Sequence, residues 1–387
     1  MHRHVLGTLC VLLLASAPLS ARELSLSALP DVSAATRWPG LDWERAPAGD
    51  AVAAAVSDAI DFYFSDTYRR AQGEPRALVV VQAGRIVGER YDAAHSCDQL
   101  AWTGSVAKMM GAVMAGLLAQ QGMLDVQAPA PVPAWRSDDS DPRASITTHH
   151  ILTMTAGLDW DDAYATSGLS ILKTDFMEMA FGEGHTDSAA FTVGKPLAYP
   201  PGSFYRYNDG LPSVMGAIAS TTLGGSRNTV RDFVSEALFA PLQMRNTRLE
   251  FDLAGNWYGA SGVRWSPCDL ARFGYLLLRG GFWRDSQLLP VGWVDYMRTP
   301  TDASLKPSLS RSRTVGYGAN TATYVHPDDP LLIDDFGHLG WGGSYLRVVP
   351  SLDLVIALFG ANGGSGAGLG GRAVFDQAVE ALIDSVR

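Results

Sequence analysis

Two polar residues, Ser105 and Lys108, stand three positions apart at the head of an apolar stretch that runs from Val106 to Gln120. Residues three apart on a helix share a face, so we expect the lysine amine within reach of the serine hydroxyl. A serine at a helix start also places its oxygen near backbone N–H groups that favour developing negative charge. The apolar neighbours of Lys108 favour its neutral amine, the form that acts as a base. The pattern indicates a serine nucleophile activated by a lysine.

The same spacing recurs at Ser170 and Lys173, where no long apolar helix follows. The bare spacing is therefore weak evidence. What distinguishes Ser105 is its position at the start of a helix that is hydrophobic on every face, which is typical of a buried helix.

A second segment with chemical potential follows the turn residues Pro201 and Gly202 and precedes the apolar run from Leu211 to Ile218. Its Tyr207 could act as a phenolate base or proton relay, because a nearby cation such as Lys108 stabilises a phenolate. For this segment alone, the alternative is an aromatic loop residue packed on a helical region.

A third segment, from Phe336 to Ser344, is rich in glycine and leads into a strand pattern. Glycines let a substrate approach an extended backbone closely, and edge-strand N–H groups can donate to an oxyanion. The alternative for this segment alone is a glycine-rich hairpin turn with a hydrogen-bonded histidine, His338. The chain has no G-x-S-x-G elbow, Walker loop or G-x-G-x-x-G in a βαβ setting, which disfavours an α/β-hydrolase triad and nucleotide binding.

In this order the three segments resemble the S-x-x-K, Y-x-N and K-T-G motifs of the serine β-lactamase and penicillin-binding-protein superfamily. The class C β-lactamase branch, with its related esterases and amidases, is the most similar. Two supporting segments fit as well: residues 146–164 resemble 6-aminohexanoate-oligomer hydrolases and their periplasmic relatives, and residues 266–274 match the superfamily. The resemblance covers the chain from about Leu78 onwards.

The resemblance implies roles for individual residues. Ser105 is the acylated nucleophile, Lys108 the base of acylation and Tyr207 the tyrosine of the second motif. The backbone N–H groups of Ser105 and Trp341 form the oxyanion hole. The resemblance assigns substrate binding to His338, Gly340, Asp209 and Tyr164. No cofactor or metal is implied.

Two positions depart from the superfamily pattern. Asp209 replaces the asparagine of the second motif, and His338 replaces the lysine of the third. A histidine with an ordinary pKa of ~6.5 is mostly neutral at pH 7, so a fixed cation for a substrate carboxylate is missing there. Asp209 adds negative charge nearby. Both changes favour neutral or cationic esters and amides over penicillins.

Strand patterns stand at both ends of the chain and helical patterns in the middle. Hairpin strands are predicted at Ala77–Val81 and Arg85–Tyr91, and again at Ser344–Val349 and Leu352–Phe359. We expect an α/β (α+β) fold, an antiparallel sheet flanked by helices with an inserted all-helical domain, as in the β-lactamase/transpeptidase-like fold.

The domain prediction follows from these patterns. Residues 22–120 and 253–387 form the sheet domain, which carries the nucleophile helix and the third motif, and residues 121–252 form the mainly helical insertion. An amphipathic helix is predicted over Asp50–Arg70, and a final helix over about Gly371–Val386.

Composition limits the partners. The chain of 387 residues is 47% hydrophobic and carries a net charge of −10, which favours a globular protein and argues against nucleic-acid binding. Residues 1–21 read as a secretory signal peptide, so we expect export to the periplasm or beyond and no stable membrane span. Cys97 and Cys268 could pair in an oxidising compartment, which the sequence leaves open. No metal-ligand spacing occurs.

The expected activity is that of an exported serine hydrolase that cleaves a small-molecule ester, amide or peptide-like substrate through an acyl-enzyme. One alternative is a D-Ala carboxypeptidase or class C-like β-lactamase. Another is a penicillin-binding sensor module that acylates without turnover. The physiological substrate and the oligomeric state stay open.

Overall fold

A computed structural model describes residues 20–47, 50–161, 173–305, 314–361, 380 and 382–387. Its strands are β1 (Ser25–Leu26), β2 (Glu74–Gln82), β3 (Arg85–Tyr91), β4 (Ala101–Trp102), β5 (Thr247–Leu249), β6 (Val263–Trp265), β7 (Phe282–Trp283), β8 (Ser286–Gln287), β9 (Thr314–Tyr317), β10 (Ala322–His326), β11 (Asp329–Gly340), β12 (Ser344–Val349) and β13 (Leu354–Ala361). Its helices are α1 (Ala51–Tyr63), α2 (Asp66–Gln72), α3 (Lys108–Gln120), α4 (Thr148–Leu152), α5 (Asp175–Phe181), α6 (Ser188–Val193), α7 (Leu211–Thr222), α8 (Arg227–Val234), α9 (Ala240–Leu242), α10 (Pro267–Leu278) and α11 (Trp293–Arg298).

The largest sheet runs in the order β3-β2-β13-β12-β11-β10-β9 with antiparallel neighbours, and β1 pairs in parallel with β11. The N-terminal hairpin thus lies beside the last strand, with Val80 opposite Ile356. The mixed fold with an antiparallel sheet and flanking helices, expected from the sequence, is confirmed.

Both faces of the central strands are covered. Val79 and Val81 of β2 lie in a large core with residues of α3 and α10, whereas Leu78 and Val80 lie in a second core with residues of α1. Because side chains alternate across a strand, a sheet covered on both faces needs apolar residues at successive positions. This explains the unbroken Leu-Val-Val-Val run.

The nucleophile helix α3 is buried as predicted, with every residue from Lys108 to Leu118 inaccessible or nearly so. It packs against α7. A helix enclosed in this way holds its first turn at a defined place relative to the sheet.

The predicted helix over Asp50–Arg70 is divided into two. Helix α1 ends at Tyr63, and α2 begins after Ser65, whose hydroxyl accepts a hydrogen bond from the Tyr68 N–H. A serine that satisfies a free N–H at a helix start favours a new helix over continuation of the previous one. Most of the final helix predicted over Gly371–Val386 lies outside the described residues.

The division into a sheet domain and a helical insertion stays a prediction. The large core contains side chains from the sheet, α3, α7 and α10 together. Within the described residues, no helix combines the length and hydropathy that a membrane crossing requires.

Candidate active site

Ser105 lies in a short 3₁₀ helix, Gly104–Ala107, that leads directly into α3 at Lys108. In a 3₁₀ helix, positions three apart eclipse each other, which brings Ser105 and Lys108 together. The N–H groups of a first helical turn have no acceptor within the helix, so the Ser105 N–H is placed to bind an anion. The Ser105 side chain is buried, with 7% of the residue exposed.

Lys108 donates hydrogen bonds to three oxygens. Its Nζ lies 2.9 Å from the Ser105 Oγ, 2.6 Å from Asp209 Oδ1 and 2.9 Å from the carbonyl oxygen of Ala260. Three acceptors match the three N–H bonds of an ammonium group. The fold therefore brings a carboxylate beside Lys108, in addition to the apolar neighbours that the sequence predicted.

Tyr207 lies beside this lysine. The Lys108 Nζ is 4.9 Å from the centre of the tyrosine ring, a distance typical of a cation–π contact. The ring of Tyr207 is also 6.1 Å from the rings of both Tyr317 and His338. The second and third segments of the sequence therefore meet at the head of the nucleophile helix.

Asn208 holds the second segment at the start of α7. Its Oδ1 accepts hydrogen bonds from the N–H groups of Gly210 and Leu211, and the side chain is buried. This arrangement satisfies donors that a helix start leaves free. It also leaves Asp209, the next residue, facing Lys108. The sequence analysis gave Asn208 no role, although an asparagine side chain that binds the backbone two residues on is a common turn former.

The ring of His338 is held by two protein oxygens. Nδ1 lies 2.7 Å from the carbonyl oxygen of Leu339, and Nε2 lies 3.1 Å from the Tyr317 hydroxyl. A carbonyl oxygen only accepts, so Nδ1 carries a proton. Burial, followed by the nearby Tyr207, raises the pKa of Tyr317 well above its ordinary value. The Tyr317 hydroxyl thus keeps its proton, and it can donate that proton to Nε2 or accept a hydrogen bond from it.

These contacts alter the interpretation of His338. The residue is 4% exposed and lies beside Tyr207, where the sequence analysis placed it. Its ring nitrogens nevertheless face Tyr317 and Leu339, an arrangement that orients the end of β11. Direct contact with a substrate stays a prediction.

The end of β11 lies against the short helix Gly104–Ala107, which carries Ser105 and is called the nucleophile turn below. A Cβ atom on Gly104 would be 2.6 Å from the backbone nitrogen of Trp341, and one on Gly340 would be 3.2 Å from the Ser105 nitrogen and would collide with the Thr103 carbonyl. Gly104 also has a φ of +57°, which favours glycine. The two backbone N–H groups predicted for the oxyanion hole, Ser105 and Trp341, therefore belong to adjoining segments. The Trp341 side chain is 43% exposed.

Tyr258 and Ala260 complete the surroundings of Lys108, and the sequence analysis missed both. Burial, followed by the charge of Asp209, raises the pKa of Tyr258 to about 12, so the phenol keeps its proton at neutral pH. Ala260 contributes only a backbone oxygen, and neither residue lies in a recognisable motif. No signal in the sequence could have found them. Tyr164 lies outside the described residues.

A disulfide joins Cys97 to Cys268, whose Cα atoms are 5.1 Å apart. Cys97 precedes β4 and the nucleophile turn, while Cys268 lies in the first turn of α10. Strand β4 also pairs with β6, which leads into α10. Two independent links thus hold the segment that positions Ser105. Glu89 lies near both cysteines, but sulfurs joined in a disulfide are not available as metal thiolates.

Comparisons with known proteins agree with this architecture. The family model described as Beta-lactamase matches residues 70–378, which is more than half of the chain. A putative 6-aminohexanoate-dimer hydrolase from Bacillus anthracis is 19% identical, with a TM-score of 0.63 over 83% of this chain and 80% of that one. EstCE1, a hydrolase with promiscuous acyltransferase activity, is 15% identical, with a TM-score of 0.65 over 87% and 98%.

The D-amino acid amidase from Ochrobactrum anthropi SV3, complexed with L-phenylalanine amide, is 17% identical, with a TM-score of 0.60 over 86% of this chain and 99% of that one. At such identities, the likeness of the solved structures extends to the fold alone. A search of curated proteins gave no match. The family model covers both the nucleophile helix and the end of β11, and on that basis the chain belongs to the β-lactamase family.

Proposed function

We propose that this protein is an exported serine hydrolase that cleaves ester or amide bonds of small molecules through an acyl-enzyme. Ser105 attacks the substrate carbonyl, and Lys108 and Tyr207 transfer the protons. The N–H groups of Ser105 and Trp341 stabilise the oxyanion, and water then releases the acid.

One observation carries the proposal. The Lys108 Nζ lies 2.9 Å from the Ser105 Oγ at the start of a buried helix, beside the backbone of Gly340 and Trp341. A hydroxyl with an amine in contact and two backbone donors beside it has the parts that acyl transfer requires.

The charges at the site support neutral or cationic substrates. Unlike the lysine of the third motif, His338 offers a substrate carboxylate no permanent positive charge, since histidine is not a fixed cation near neutral pH. Asp209 contributes a buried carboxylate within contact of Lys108. The fold is shared with a D-amino acid amidase and with a hydrolase that has promiscuous acyltransferase activity, and a shared fold leaves the choice between esters and amides to the site.

Export is the second part of the proposal. It rests on the apolar segment within residues 1–21 and its small-residue end. Expression in a bacterial host, followed by cell fractionation and N-terminal sequencing, tests it. We expect the protein in the periplasm with residues up to about Ala21 removed, whereas an intact N-terminus in the cytoplasm contradicts it.

The activity is tested by stopped-flow hydrolysis of p-nitrophenyl butyrate. We expect a burst of one p-nitrophenol per enzyme and then steady turnover, both absent in Ser105→Ala. Ser170→Ala is the matched control, since Ser170 belongs to the second Ser-x-x-Lys segment. Its burst amplitude should stay at one per enzyme.

Three results would change the conclusion. Equal activity of the Ser105→Ala variant and the unmodified enzyme would contradict the nucleophile assignment. A burst without turnover would indicate a sensor module. Hydrolysis of a chromogenic cephalosporin in preference to the ester, lost in Ser105→Ala, would indicate a β-lactamase.

A further inference from the structure

A carboxylate and an amine lie buried together beside the nucleophile. The side chains of Lys108 and Asp209 are 0% and 3% exposed, and Nζ is 2.6 Å from Oδ1. A buried ion pair is costly to desolvate, so its presence calls for an explanation other than stability. The motif that this segment resembles has an asparagine at this position, which would carry no charge.

The hydrogen bonds define the resting state of Lys108. All three of its N–H bonds have an oxygen acceptor, among them the Ser105 Oγ. An ammonium group in this state has no lone pair and cannot take a proton from Ser105. Lys108 must first lose a proton, and Asp209 is the carboxylate in direct contact with it.

Asp209 is poorly satisfied as an anion. Its Oδ1 faces Lys108, but its Oδ2 is buried and has no hydrogen-bond partner among the residues that the structure describes. An ionised carboxylate accepts hydrogen bonds at both oxygens, and burial of two unequally satisfied charges is costly. Proton transfer within the pair therefore replaces two buried charges with two neutral groups.

We propose that Asp209 is a positioning residue that holds the Lys108 proton during activation of Ser105. The Lys108 ammonium passes one proton to Asp209 Oδ1, which leaves a lone pair on Nζ. As Ser105 Oγ bonds to the carbonyl carbon, its proton moves to that lone pair and restores the ammonium. The leaving group then takes a proton that Lys108 supplies through the Tyr207 hydroxyl, and Asp209 returns its own proton to Lys108. The inference rests on the proposed function only in taking Ser105 as the nucleophile.

The proposal has a consequence for pH dependence. Lys108 and Asp209 together hold the same number of protons before and after the transfer, so activation of Ser105 needs no exchange with solvent. In Asp209→Asn, by contrast, Lys108 must release its proton to solvent before it can act. At pH values where Lys108 of that variant still carries a proton, its reactivity should therefore rise about tenfold per pH unit, since one proton is lost.

Three other titratable groups interact with the pair, namely Tyr207, Tyr258 and Tyr317, while His338 lies beside Tyr207 and the charge of Asp252 acts on Tyr258. The pKa of Tyr258 is raised to about 12, and that of Tyr317 well above its ordinary value, so both stay protonated near neutral pH. All five residues are present in both proteins. Asp209→Asn removes one contribution to the raised pKa values of Tyr258 and Tyr317, but burial, the largest cause of both, is unchanged, so both phenols keep their protons near neutral pH.

The experiment measures the rate at which a fluorophosphonate probe labels Ser105 from about pH 6 to pH 9. This readout does not require the right substrate. We divide the labelling rate of the unmodified enzyme by that of Asp209→Asn. We expect this ratio to fall about tenfold per pH unit and to approach one at the alkaline end of the range. Asp209→Glu, which restores a carboxylate, should return the profile towards that of the unmodified enzyme, even at a lower rate.

Asp353→Asn is the matched control, because it removes a carboxylate from another buried cation, Arg279. Asp353 lies beyond the last residue of β12, whereas the first residue of β12 pairs with Gly340 near the site. Its rate ratio should stay near one at every pH. A constant ratio for Asp209→Asn, whatever its size, overturns the inference, since a merely structural role lowers reactivity equally at all pH values. An Asp209→Glu profile that copies Asp209→Asn overturns it as well.

The two proposals fail in different ways. Labelling with the expected ratio in a protein that does not hydrolyse esters or amides supports the inference and contradicts the proposed function. Labelling with a constant ratio contradicts the inference alone. No labelling of Ser105 at any pH contradicts both.

Discussion

The backbone of Gly340 lies against the carbonyl group of Thr103 so closely that no side chain fits between them. The contact brings the end of β11 to the turn that carries Ser105. It also sets where the Trp341 N–H lies relative to the nucleophile. A glycine in this position serves close approach rather than a turn.

Gly340→Ala should therefore reduce activity. The added methyl group displaces the Trp341 N–H, and loss of one oxyanion donor costs about 10²–10³-fold in kcat. Steady-state kinetics with p-nitrophenyl butyrate measures this. Gly40→Ala is the control, since a Cβ there meets only an ordinary contact of 3.7 Å. Unchanged kcat in Gly340→Ala would argue against an oxyanion role for Trp341.

Tyr207→Phe tests proton transfer beside Lys108. The ring contact with Lys108 is retained and the hydroxyl is lost, so we expect kcat to fall ~10²–10⁴-fold with KM nearly constant. Tyr199→Phe removes a hydroxyl from a nearby ring that is stacked on Phe204 and should leave kcat unchanged. Equal kcat values for the two variants would remove Tyr207 from the mechanism.

The buried pair of Lys108 and Asp209 should be visible in stability. Lys108→Met leaves the Asp209 carboxylate buried without its cation, which costs about 3–5 kcal/mol of the free energy of unfolding. Adding Asp209→Asn to that variant should restore much of the loss. Urea denaturation of both single variants and the double variant measures the coupling. Additive effects would mean that the two side chains do not interact.

Reduction of the Cys97–Cys268 disulfide should lower stability. The bond spans 171 residues, and a loop of that size is worth on the order of 5 kcal/mol in the chain-entropy description. Urea unfolding with and without dithiothreitol measures the difference. The Cys97→Ser/Cys268→Ser variant should have the same free energy of unfolding as the reduced protein, and dithiothreitol should not change it. If dithiothreitol changes the free energy of unfolding of that variant, the effect of the reductant does not arise from this disulfide.

Acid should destabilise the protein through His149. Burial lowers the pKa of His149, and its Nδ1 lies 3.0 Å from the Tyr296 hydroxyl. The unfolded chain binds a proton near pH 6.5 whereas the folded one resists it, so this contribution is complete above that pH and is lost as the pH falls below it. Urea unfolding at pH 7 and pH 5 tests this. The loss should be smaller in His149→Gln, and an equal loss would point to other groups.

Local patterns predicted a large part of the fold. The hairpin of β2 and β3, the pair β12 and β13 and the buried helix α3 follow from hydrophobic periodicity and turn residues. The break between α1 and α2 was missed, because apolar spacing continues across Ser65 while the hydrogen bond that starts α2 is local to it.

For the site, the sequence by itself determined which groups can do chemistry. Ser105 and Lys108 are three positions apart, which places them on one face of any helix. The residue types at positions 207 and 209, tyrosine and aspartate, are visible in the sequence. The mutual distances of these side chains are not, since Asp209 is 101 positions from Lys108 and Ala260 is 152. Only the tertiary structure decided that a carboxylate lies beside the lysine in addition to apolar side chains.

The same holds for His338. Its residue type suggested a neutral ring, but its partner Tyr317 lies on another strand and in no motif. Which side chains meet across a sheet depends on strand order and register, which are set by packing of the whole core and are not encoded in any local segment. The sequence determined the chemical groups of this protein, and the packing of β11 against the nucleophile turn decided how they face one another.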